Sequence, residues 1–174
     1  MSVDKKIVCF ACGAQVPEMK GPTHPYMLSA PGCWYLYGEI LAKEYTPTFY
    51  DSKIHGITVD SYAVTHSGDK KDPRALRSVN IHLIRLYYTY SVSTDDDALL
   101  QIITNAANDE KLQKEFQWLK PPSFIATLHI TDLLNTSTPQ EHKMLVNKWG
   151  KSVWTVWNNL YGNYIEDLAL KLSS

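Results

Sequence analysis

No run of apolar residues in this chain approaches the ~18 that a membrane-spanning helix needs, so no membrane span is expected. Lys5-Lys6 is followed by no apolar stretch of leader type, so no secretory signal is expected either. An excess of charge of one sign is also missing: 17 Lys and Arg stand against 18 Asp and Glu, a formal net charge of -1. The pairs Lys5-Lys6 and Lys70-Lys71 are too short to make a basic patch. Nucleic-acid binding and attraction to anionic membranes are therefore not expected. Cysteine is scarce, with three residues. An odd number, two of them in a metal-type turn, argues against a disulfide framework and for a reducing, cytoplasmic setting. The chain has no Gly-rich phosphate loop, no Ser-centred nucleophile elbow and no His-Glu-x-x-His. Those absences set aside the enzyme classes that the motifs define. Internal repeats and low-complexity segments are absent as well.

What is present suits one domain. The 174 residues are 44% hydrophobic, enough for a real core. Few stretches alternate with period two, and the apolar positions recur at helical spacing. The prediction is an all-α fold, a mainly helical bundle over 34–174. A small irregular metal module over 1–33 would pack against one end of it. Ile7-Val8 and Gln15-Val16 flank the first Cys pair and suit a short β-hairpin.

A first helix is expected from Gly32 or Cys33 to Tyr45. Thr46-Pro47 should break it, and residues 47–66 should form one or two short helices jointed at Gly56. Pro73 opens a helix to about Tyr90, and Thr94 to Asp97 caps the next. Lys120-Pro121-Pro122 is a stop, after which Phe124 to Ile130 reads as extended and Thr131 to Leu134 as a short helix. Thr138-Pro139-Gln140-Glu141 is a capping box that launches a long helix to about Leu170.

The motif that carries chemistry is Cys9-Phe10-Ala11-Cys12-Gly13. In such a turn two thiolates converge on one ion, and Gly13 permits the tight backbone. Cys33 and His24, both in turn-like surroundings, complete a Cys3His pattern. The expected ligands are thus Cys9, Cys12, His24 and Cys33, and the expected metal is zinc. A redox dithiol is one alternative, but the βαβ setting of such pairs is missing; two buried cysteines without a ligand are the other. His24 also reads as a residue that caps the first helix or bonds a backbone carbonyl.

A second cluster is suggested by His55, His66, His82 and His142, which lie on inward faces of different helices. Glu39 and Asp60 are candidate carboxylates beside them. Such groups could hold a second divalent metal or act as general acid and base. Each histidine alone reads better as a core imidazole bonded to a carbonyl. Glu39 reads as a partner of Lys43 at i,i+4, and Asp60 falls off the His55 face. Arg74, Arg77 and Arg85 could form a small anion pocket beside Ser78, although Arg74 and Arg77 read better as residues of solvated faces. Trp149, Trp154 and Trp157 read as core or interface residues.

Several blocks are similar to a bacterial family of uncharacterised proteins, domain of unknown function 5946. They include Cys9 to Ala14, Gly21 to Met27, Pro31 to Trp34 and His55 to His66. Further blocks are Arg77-Ser78-Val79 with His82, Trp118 to Pro122, and His142 with Trp149 to Trp154. The resemblance implies that the Cys pair, His24, Cys33, His55, Asp60, His66 and His82 belong to the family pattern. It implies no activity. The expectation is a zinc-binding helical protein, a binding or regulatory module with a structural zinc and a small-molecule or protein partner. The alternative is a metal-dependent hydrolase or group transferase that uses the histidine cluster.

Overall fold

The computed structural model describes residues 5–123 and 128–172. Two short strands come first, β1 (Lys6–Val8) and β2 (Gln15–Pro17), paired antiparallel with Ile7 opposite Val16. The rest is helical: α1 (Pro31–Glu44), α2 (Ser52–Thr65), α3 (Pro73–Tyr87), α4 (Asp96–Asn108), α5 (Glu110–Gln113), α6 (Ile130–Leu134) and α7 (Pro139–Leu172). A π-helical turn, Tyr88–Val92, extends α3 and stops at Ser93, which takes a left-handed conformation with φ 59°.

Local chemistry sets the helix starts. Asp51 accepts from the Lys53 and Ile54 amides at 3.1 Å and caps α2. Asp72 caps α3 ahead of Pro73, and Asp95 caps α4. At α7 the Thr138 hydroxyl accepts from the Glu141 amide and the Glu141 carboxylate accepts from the Ser137 amide. Pro31 sits at the start of α1, where a proline loses no hydrogen bond.

Helices α2, α3 and α7 pack on one another and form the centre of the molecule. Ile57, Tyr62, Leu83, Val146, Trp149 and Trp157 meet there in one buried cluster. Each such side chain contributes about 1.5–3 kcal/mol by leaving water. The hairpin joins the same cluster through Val16, Ala14 and its cysteines. A second apolar cluster lies toward the end of α7, where Ile84, Leu99, Ala106, Leu112 and Leu168 meet.

Two expectations are corrected. Gly56 is not a joint: α2 runs unbroken through it, and the guanidinium of Arg85 lies over the space a side chain would fill. A helix does not restart at Pro47; residues 46–49 turn, and α2 begins only after Asp51. The extended stretch expected from Phe124 falls largely on residues 124–127, outside the described residues.

Candidate metal centre

Cys9 and Cys12 stand on the tight turn that joins β1 to β2. The Gly13 amide donates to the Cys9 carbonyl at 2.8 Å, and the Cys9 amide donates to Ala14 at 2.8 Å. Gly13 has φ 78°, a left-handed conformation that costs a glycine little. Both thiols face inward, with 1% and 7% of their residues exposed. Cys33 lies in the first turn of α1, where the helix dipole favours a thiolate. Gly32 lets that turn sit against β2: a Cβ there would lie 2.1 Å from the Pro17 carbonyl oxygen.

The fourth group at this point is His66, the residue that ends α2. Its Nδ1 lies 2.9 Å from the Tyr62 carbonyl and donates its proton there. The Nε2 lone pair is thereby left for the thiols, the usual arrangement of a metal-binding imidazole. Nε2 lies 3.3 Å from Cys33 Sγ and 3.9 Å from Cys9 Sγ, and Cys12 Sγ lies 3.8 Å from Cys33 Sγ. All four donor atoms fall within 4.8 Å of one another. Tetrahedral zinc with ordinary bond lengths requires about 3.8 Å between sulfurs and about 3.6 Å from sulfur to nitrogen. The observed spacing fits. It does not fit a disulfide, which needs about 2 Å, and all three cysteines are free.

The surroundings hold this set in place. Tyr62 stacks between Tyr37 (3.9 Å) and His66 (3.8 Å), and its hydroxyl donates to Cys33 Sγ at 3.7 Å. Burial first, then the charge of Cys33, pushes the Tyr62 phenol up, so it stays protonated and remains a donor. The bare thiols are in conflict. Hydrogen bonds from Cys12 and then Cys33 lower Cys9, whereas contact with Cys12 and then Cys9, together with burial, raises Cys33. A divalent cation at their centre would remove the conflict by stabilising every thiolate at once.

His24 is not in this cluster. Its ring meets Tyr26 edge-on at 4.2 Å and Trp34 at 5.2 Å, and its Nδ1 accepts from the Tyr26 amide. The expected ligand set therefore changes in one member, with His66 in the place given to His24.

The histidines expected to gather inside the bundle are divided among three places. His66 joins the thiols. His55 Nδ1 and His142 Nε2 each lie 2.9 Å from a different oxygen of Glu44, and Thr58 donates to Glu44 at 2.6 Å. His82 Nδ1 lies 2.7 Å from Asp60, which is fully buried and has Arg85 Nε at 3.3 Å. Three helical turns do place His55 and His66 on one side of α2, but about 16 Å apart along its axis. Glu39 is exposed on α1 and belongs to none of these groups. Among the described residues, the Cys3His set is the one group of three or more such side chains that converges tightly enough for an ion.

Sequence reading missed Glu44, which is 1% exposed. Burial would raise its carboxyl, but hydrogen bonds from His142, then His55 and Thr58, outweigh that and hold it below its ordinary value. A signal existed: Cys33, Tyr37, Ile40 and Glu44 form the inward stripe of α1.

No described helix is long and apolar enough to cross a membrane. No curated protein matches the chain, and no solved structure does. One family model matches, over residues 7–158. That match covers all but the first residue of the hairpin, all four donors of the cluster and both His–carboxylate groups, and by it the chain belongs to the family of unknown function DUF5946.

Proposed function

We propose that Cys9, Cys12, Cys33 and His66 hold one zinc ion as a closed structural centre. On this reading the protein is a cytoplasmic binding or regulatory module built around that centre. The observation that carries it is the origin of the donors. They come from the hairpin, the start of α1 and the end of α2, and each is at most 7% exposed. A site with four protein donors and no face open to water suits structural zinc; catalytic zinc keeps a position free. Soft thiolates with one imidazole favour zinc over magnesium or calcium. The ion would supply binding energy that is also folding energy.

Metal analysis of the purified full chain tests the proposal. One zinc per chain is expected, with loss of the metal and a lower melting temperature in Cys12→Ser. Metal-free protein of unchanged melting temperature would refute it. The enzymatic alternative drew on three or four of His55, His66, His82 and His142 meeting inside the bundle, and their separation into three groups removes its main support.

A further inference from the structure

A cavity of about 370 Å³ opens beside α3, lined by Tyr26, Arg74, Arg77, Ser78, Ile81 and His82. Its lining combines cationic and aromatic groups. Arg77 is exposed and has no hydrogen-bond or ion-pair partner among the described residues. Arg74 is fixed by Asp72, with its Nη2 2.7 Å and its Nε 3.1 Å from the two carboxylate oxygens, and its guanidinium sits 5.5 Å from the centre of the Tyr26 ring. His82 is committed on one side only. Nδ1 is tied to buried Asp60 at 2.7 Å, so the free edge of this partly exposed ring is Nε2. Ser78 lies one turn before His82 on the same face of α3 and adds a hydroxyl.

We propose that this cavity binds a small organic anion, with a phosphate or carboxylate head held by Arg77, Ser78 and His82 and an apolar body laid against Tyr26 and Ile81. Guanidinium groups match the planar spacing of carboxylate and phosphate oxygens. The Asp60–His82 pair is suited to the same task. Asp60 fixes the imidazole through Nδ1, so Nε2 is the ring nitrogen left for the head group. The volume exceeds what a bare inorganic ion fills and falls in the range of sites for small organic ligands. Arg85, expected to share this pocket, instead lies over Gly56 and contacts Asp60. The site is separate from the thiol cluster and stands whether or not that cluster holds zinc.

Titration of isotope-labelled full-length protein, followed by amide NMR, tests the proposal with three probes: phenyl phosphate, benzoate and neutral phenol. Saturable shifts at Arg77, Ser78 and His82 with at least one of the two anions, and none with phenol, are expected. The stronger anion identifies the head group. Arg77→Gln should weaken that anion roughly tenfold or more, the loss expected for one charge-assisted donor, and should leave the melting temperature unchanged. The proposal is overturned if neither anion shifts these amides at millimolar concentrations. It is equally overturned if phenol binds as well as the anions do, or if Arg77→Gln binds as tightly as the parent.

Discussion

Replacing a single ring or carboxylate tests the buried chemistry most directly. His66→Gln keeps a polar side chain of similar reach but offers no imidazole nitrogen beside Cys33. It should release zinc at least tenfold more readily to a colorimetric chelator, and His24→Gln should not. Glu44→Gln removes the charge that His55, His142 and Thr58 surround. Loss of one partner from so buried a group costs about 3 kcal/mol. The pH dependence follows from the depressed carboxyl of Glu44. A folded-state value below the unfolded one contributes stability that is fully present above the ordinary carboxylate range. That contribution fades as pH falls through the folded value. Urea denaturation should therefore show the largest gap between parent and Glu44→Gln near neutral pH, and a shrinking gap below about pH 4. A gap of equal size at both ends would contradict the assignment.

The elements meet at close approaches that tolerate little added volume. Gly32→Ala would drive a methyl group into the Pro17 carbonyl and push the first turn of α1 off β2, carrying Cys33 with it. A loss of about 1–3 kcal/mol is expected, accompanied by weaker metal retention; thermal melts and zinc release measured on the same sample check both. At this scale much was legible in the sequence. The hairpin was implied by Ile7-Val8 and Gln15-Val16, and α7 by its capping box, because caps and short apolar pairs act locally. Three of the four clustered donors were also named from spacing. His66 was assigned elsewhere for a physical reason: spacing along the chain points to nearby candidates such as His24, whereas His66 arrives by the docking of a helix end. Gly56 misled in a similar way. Its local preference suggested a break, but the packing of Arg85 over it makes an unbroken helix the better solution.

For the whole molecule, the two apolar clusters predict uneven dependence on metal. The cysteines and His66 border the larger cluster, whereas Leu99, Ala106, Leu112 and Leu168 belong to the smaller one. Chelation should lower the melting temperature by about 10 °C or more, as expected when several kcal/mol are lost from a chain of this size. Hydrogen exchange should show where. Protection should fall in the hairpin, the start of α1 and the end of α2, and should persist in α4 and the last turns of α7. Uniform loss along the chain would mean that the molecule answers to the metal as one cooperative unit instead. The scattered origin of the four donors also bears on the order of events during synthesis. A ribosome completes Cys9, Cys12 and Cys33 long before His66 leaves the exit tunnel. The amino end is therefore made first, and on the proposed reading its donor set stays incomplete until a residue from the second helix arrives.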